Sequence, residues 1–390
     1  MNQKYGIALA GVLVLSSLRS ASALACGGGG VTSRVGATMN SQRVVMSVRA
    51  VGRTDIVAQI TVPQTDADYG VLIPVPSEPT LDSVPVSAAE LDTLDLATAP
   101  VVISETEDSG GSGCGCIAAG ADVPGSKGTG ADGSKRGVIA STAVDIGPVV
   151  AVSLTGNDPE GVRAWLSDNG FSLPQTDAAT LDRYVGDGKY FIAIRRSERS
   201  ITGAPSSIGI HYSLVGDHRM LSLGFTRIGA GSELALTLFL AAPQTVAPSE
   251  PFAALTLNDL DAATLQRNDY RSAVANAVAA RASKAFVLES STPLVEIEYK
   301  VPGLSRFMDA HTVITRATTL IAREQLADDA VFATPFKDAL PSQRIVSLDA
   351  ARVRYAGVGS LGLLLLAGGL RRRSREHRPS TVQLAPAPRR

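Results

Sequence analysis

The chain predicts an α+β fold: a mainly antiparallel sheet body with short helices, an N-terminal signal peptide and one C-terminal transmembrane helix. Three observations predict it. Aromatics make up only 5% of the 390 residues, while glycine (37) and proline (21) are common, which favours turns and strands over a helical bundle. β-branched runs alternate with turn signals through the body. Apolar stretches with basic flanks stand at both ends.

The first 25 residues read as a signal peptide. Lys4 precedes an apolar stretch from Ile7 to Leu15, which is too short to span a bilayer, and Ala23-Leu24-Ala25 gives an A-x-A cleavage pattern ahead of Cys26. Cys26 directly after that pattern also fits lipid attachment, although Ala23 stands where such signals usually place leucine.

Residues 26–106 form a β-rich part. RVVMSVRAVGRTDIVAQITV (43–62) reads as a hairpin with a glycine in its turn, and YGVLIPVP (69–76) as a strand stopped by proline. Ser87 and Glu90 have the spacing of a capping box for a short helix. Residues 107–137 are rich in glycine and serine and read as a flexible loop. Their Gly128-x-Gly130-x-x-Gly133 lacks the strand and helix of a dinucleotide fingerprint, so no cofactor is expected.

Residues 138–345 form the α+β part. VIASTAVDIGPVVAVSL suggests two strands. DPEGVRAWLSDNG is a helix capped by Asp158, opened by Pro159 and stopped by Gly170, with Trp165 and Leu166 facing the core. A short helix near 178–184 precedes KYFIAIRR, whose Tyr190, Ile192 and Ile194 share one face of a strand. Further strands are expected at 207–214, 219–226 and 233–241, a helix from Asp269 to about Ser283, strands at AFVLE and LVEIEYKV, and a last amphipathic helix over 306–325.

Residues 355–370 carry no charge. As a helix they span about 24 Å against a hydrocarbon core of about 30 Å, a gap that flanking arginines close by snorkelling. Arg371, Arg372 and Arg373 open a basic tail, 371–390, with net charge +6, so the rest of the chain sums to −7. The positive-inside rule keeps these arginines in the cytoplasm and the body outside. The tail is read as an anchor contacting the bacterial membrane rather than nucleic acid. A cleaved sorting tail is the competing reading.

Cys26, Cys114 and Cys116 all fall in the exported part, where disulfides persist. A bridge within Cys114-Gly115-Cys116 would be strained, so Cys26 to one of the pair is the easier bridge, leaving an odd thiol. No metal site is expected, because C-x-C supplies too few ligands and the four histidines show no ligand spacing. His211 and His218 flank Val-Gly-Asp and could serve a hydrolase, but ordinary strand and turn histidines fit better. The acid pairs Asp259/Asp261 and Asp182/Asp187 look like caps and turns. No catalytic residue is assigned. The expected partners are envelope proteins or a surface polymer.

Ala-Cys-Gly-Gly (25–28), VLIPVP (71–76), Cys-Gly-Cys (114–116), AWLSDNGFSLP (164–174) and LDRYVGDGKYFIAIR (181–195) together resemble the bacterial exported proteins of domain of unknown function 2330, over roughly residues 24–300. The resemblance implies export and, often, a terminal membrane segment; it brings no activity. Members often show C-G-G-x-x-C, whereas residues 26–31 here read CGGGGV.

Overall fold

A computed structural model describes residues 24–25, 29–32, 38–62, 69–104, 137–197, 206–266, 269–338, 340 and 345–348. Ala23, the three cysteines, nearly all of the Gly/Ser-rich segment, residues 355–370 and Arg371–Arg373 lie outside them. Among the described residues no helix is long and apolar enough to cross a membrane.

The N-terminal part supplies β1 (Leu24–Ala25), β2 (Gly30–Thr32), β3 (Met39–Arg49), β4 (Arg53–Val62), β5 (Gly70–Val75), β6 (Thr80–Leu81), β7 (Val86–Ser87), α1 (Ala88–Thr98) and β8 (Val101–Ser104). Next come β9 (Val138–Ala140), β10 (Val144–Ile146), β11 (Val149–Gly156), α2 (Pro159–Asp168), α3 (Ala178–Gly186), β12 (Tyr190–Arg196), β13 (Ser206–Val215), β14 (Met220–Leu221), α4 (Leu223–Thr226) and β15 (Ala230–Ala242). The last third holds β16 (Val246–Ala247), β17 (Ala253–Thr256), α5 (Ala262–Gln266), α6 (Tyr270–Ala279), β18 (Ala285–Pro293), α7 (Pro302–Ser305), β19 (Val313–Ala322), β20 (Ala330–Val331), β21 (Thr334–Pro335) and β22 (Ile345–Leu348).

Two sheets carry the fold. The ten-stranded sheet runs β17-β18-β19-β15-β3-β4-β13-β6, with β1 on β3 and β7 on β13. The six-stranded sheet runs β10-β11-β12-β5-β2, with β9 on β11. Most pairs are antiparallel; β15–β3, β17–β18 and β1–β3 are parallel. The main core lies between the sheets, where Val44, Ile56, Ile210, Leu238 and Val287 of one meet Val71, Ile73, Ile192 and Ile194 of the other. A second cluster covers the outer face of the large sheet with α1 and residues 294–308. A third covers the small sheet with α2, α3 and α4. β12 shows the alternation: Ile192 and Ile194 enter the main core while Phe191 and Ala193 face the third cluster.

Local chemistry explains the elements that matched expectation. The β3–β4 hairpin turns through Gly52 at φ +71°, with the Gly52 amide donating to Arg49 O at 3.1 Å. Asp158 accepts from the Glu160 and Gly161 amides at 3.1 and 3.0 Å, Pro159 opens α2, and Gly170 at φ +83° ends it. Leu166 is buried, while Trp165 packs part-buried against the third cluster.

Five local expectations need correction. Residues 306–325 are not a helix: β19 occupies Val313–Ala322, between β18 and β15. Val313, Ile314, Thr315, Thr318, Thr319 and Ile321 are β-branched and fit a pleated strand better than a helix. Residues 294–301 are not a strand but two 3-10 turns, Leu294–Glu296 and Glu298–Lys300. Leu294, Ile297, Val301 and Leu304 are buried at steps of three and four, the period of a helical turn. In 219–226 only Met220 and Leu221 are strand, followed by the helical turn α4. VIASTAVDIGPVVAVSL forms three strands, β9, β10 and β11, because Gly147 at φ +62° turns β10 back onto β11. The capping box at Ser87 is half made: Ser87 accepts from the Ala89 amide, but Glu90 accepts from the Gly303 amide at 3.0 Å and ties α1 to α7.

Candidate functional site

β4 and β13 pair so that Ser213 stands opposite Asp55 and Val57 opposite His211. Asp55 and His211 are therefore diagonal neighbours on one sheet face, within reach of each other. His211 Nε2 lies 3.0 Å from Asp55 Oδ1. A carboxylate only accepts, so the ring carries a proton on Nε2. His211 Nδ1 makes no hydrogen bond and faces Asp82 Oδ2 at 3.5 Å. Asp82 is placed by its own amide, which donates to His211 O at 3.2 Å. Phe307, from the segment after α7, stacks on the imidazole at 3.7 Å and 13°. The Arg306 guanidinium lies 4.5 Å from the same phenyl ring and 3.9 Å from Asp82.

Two further arginines close the group. Arg53 Nε donates to Asp55 Oδ2 at 3.1 Å, and Arg49 lies 3.6 Å from that oxygen. Arg49 Nε also donates to Asp309 Oδ1 at 3.1 Å, and the Ala50 amide to Asp309 Oδ2 at 2.7 Å. Burial pushes the Asp55 carboxyl up, but His211 and Arg53 outweigh it and hold Asp55 below the usual carboxylate range. The Ala50 amide is the main cause that lowers Asp309. The arrangement clasps residues 302–309 onto the large sheet.

A second buried group joins α1, α6, β18 and β19. Arg316 donates from Nε to Glu289 and from Nη1 to Asp95, and Tyr270 donates to the other Glu289 oxygen. The Glu289 side chain is fully buried and that of Arg316 nearly so. Burial pushes the Arg316 guanidinium down, but Glu289 and Asp95 outweigh it and raise it. Tyr270 is raised by its burial and by Glu289. A third group sits under α3 and α4, where Asp329 accepts from Tyr184 and from the Gly224 amide at 3.1 Å. Burial keeps the Asp329 carboxyl raised despite both donors.

The other sequence candidates stay apart from the clasp. His218 Nε2 bonds to Val215 O at 2.7 Å, so His211 and His218 do not converge on one substrate position. Asp259 accepts from the Thr256 amide and hydroxyl, and Asp261 accepts from the Thr264 amide at 2.8 Å; both are turn caps. Asp182 pairs with Arg163, and Asp187 caps α3. Ser47 lies opposite Asp55 on β3, buried and without a hydrogen bond. It is two strands from His211, about 10 Å at ordinary strand spacing, with the acid between them. A serine triad places the histidine between acid and serine, so this trio is not one. Among the described residues no group of three or more His, Cys, Asp or Glu is placed to hold a metal ion.

Sequence reasoning missed Asp55, Asp82, Glu289 and Arg316. For three of them the available signal was a charge inside a largely apolar strand run: Asp55, two residues after Arg53, in RTDIVAQITV, Glu289 in AFVLESSTP and Arg316 in VITRATTLIA.

Residues 20–288 match the family described as an uncharacterized protein conserved in bacteria (DUF2330). The chain belongs to that family. No curated protein and no solved structure matches this member.

Proposed function

We propose that this DUF2330 chain is an exported, single-pass membrane protein whose body stands outside the cytoplasm and works by binding an envelope protein or a surface polymer. One observation carries the preference for binding over chemistry. The most chemically versatile side chain at the site, His211, has Nε2 on Asp55, its ring face on Phe307 and Nδ1 towards Asp82. A general base needs a nitrogen within reach of a substrate proton. Here the imidazole is instead the joint between two layers.

The address rests on the sequence: a signal-peptide pattern at one end, and residues 355–370 followed by Arg371, Arg372 and Arg373 at the other. On the outer cover, Val295 and Tyr299 are exposed apolar side chains, and Tyr299 is the position at which a partner is sought. The Asp55–His211 contact favours one second reading, an extracytoplasmic hydrolase in which Asp82 would move aside to admit substrate.

The test uses spheroplasts holding the full chain with a C-terminal epitope and a photo-crosslinking residue at Tyr299. The expected result is a body shaved by external protease, an epitope protected until detergent is added, and a Tyr299 adduct with an envelope component. A body that resists protease until the membrane is broken overturns the address. A correctly placed chain that forms no adduct and loses a measured hydrolysis with His211→Gln favours the second reading.

A further inference from the structure

We infer that the mature chain begins at Leu24, released by hydrolysis of the Ala23–Leu24 peptide bond and not of the Ala25–Cys26 bond. This rests on the export reading above. It starts from β1. Leu24 and Ala25 pair in parallel with β3 at Met39 and Ser41. A strand has two edges, and β15 takes one edge of β3 from Met39 to Ser47. On the other edge β4 begins pairing only at Val44. β1 fills the stretch that β4 leaves open and lies against β4 as well.

The next described residues, 29–32, are also held in the fold. Gln42 Nε2 donates to Gly29 O at 3.1 Å, Gly30–Thr32 pair with β5, and the Val31 amide donates to Ile228 O at 2.9 Å. Gly229 stands so close, at φ +73°, that an added Cβ would lie 2.2 Å from Val31 O. The entry of the chain is thus built into the sheets. A signal peptide is removed from the unfolded chain, so residues that serve the folded sheet belong to the mature protein. Cleavage after Ala25 would discard β1 and leave the first part of β3, including the fully buried Met39, with one strand neighbour instead of two.

The sequence offers the earlier cut. Ala21-Ser22-Ala23 has the same small residues three and one before the bond as Ala23-Leu24-Ala25. Water adds across the Ala23–Leu24 bond, giving a carboxylate on Ala23 and an amine on Leu24. Cys26 is then the third residue. It is not the amino-terminal cysteine that lipid attachment requires, and its thiol stays free for a disulfide.

The experiment is N-terminal sequencing and intact-mass measurement of the full chain purified from the envelope fraction. The expected sequence is Leu-Ala-Cys. Ala25→Leu, which alters the residue before the later bond, should be processed like the parent. A start at Cys26, with or without added lipid mass, overturns the inference and leaves the export reading standing, as does accumulation of uncut Ala25→Leu precursor beside a processed parent. A parent that keeps Met1 overturns both.

Discussion

Replacing His211 with alanine tests whether the clasp holds residues 302–309 onto the large sheet. The substitution removes a ring stacked on Phe307 at 3.7 Å, an interaction of about 0.5–1.5 kcal/mol. It also removes the hydrogen bond to the ionised Asp55, about 1.5–3 kcal/mol. Asp55 keeps Arg53 at 3.1 Å and Arg49 at 3.6 Å, so it is not stranded, and the expected loss stays near the low end, about 2–3 kcal/mol. Urea unfolding of the purified chain measures that loss. Hydrogen exchange locates it: amides of residues 301–312 should exchange faster, while those of β12 in the other sheet should not. Two further variants split the contributions. His211→Phe keeps the stack and loses the hydrogen bond; His211→Gln keeps a donor and loses the stack. Each should lose less than His211→Ala. A loss below about 0.5 kcal/mol with unchanged exchange at 301–312 would refute the clasp.

The second buried group predicts a strong asymmetry. Arg316→Met leaves the fully buried Glu289 with the neutral Tyr270 hydroxyl but without its guanidinium partner and should cost about 3–5 kcal/mol, whereas Arg316→Met with Glu289→Leu should recover much of it. A double variant as weak as the sum of the singles in a double-mutant cycle would contradict the pairing. A pH series tests Asp55. Its folded-state pKa is depressed, so its stabilisation is present above the unfolded value of about 3.9 and is lost as pH falls through the folded value. Asp55→Asn should therefore be less stable than the parent at pH 7, by about 2 kcal/mol, and the gap should close below about pH 4. A gap that persists at about pH 2 would place the loss in packing instead of charge.

What the sequence made legible were features whose cause is local. α2 could be read because its cap, its first-turn proline and its terminal glycine are consecutive residues. β12 could be read because Ile192 and Ile194 alternate with Phe191 and Ala193 between two apolar environments. The misreadings lie where the same residue types admit two periods. Residues 294–304 carry apolar side chains that look like a strand in composition, yet they bury at helical steps. In β19 the apolar spacing pointed to a helix, and the β-branched composition decided for strand.

The candidate site was illegible for a different reason. Asp55 and His211 are 156 positions apart, and they meet only because β4 and β13 pair in one register. Both buried groups also bridge one boundary in the chain. Asp55, Asp82, His211, Asp95 and Tyr270 lie within the family match, which ends at residue 288. Glu289, Phe307, Asp309 and Arg316 lie beyond it. Yet β19, wholly beyond the match, pairs with β15 along one edge and β18 along the other. The sheet is therefore continuous across residue 288, and the charged groups are where the segment after it is fastened. A chain cut near that residue would lose β19 from the middle of the large sheet and leave Asp55 and His211 without the Phe307 cover, so the folding unit has to reach at least to Ala322.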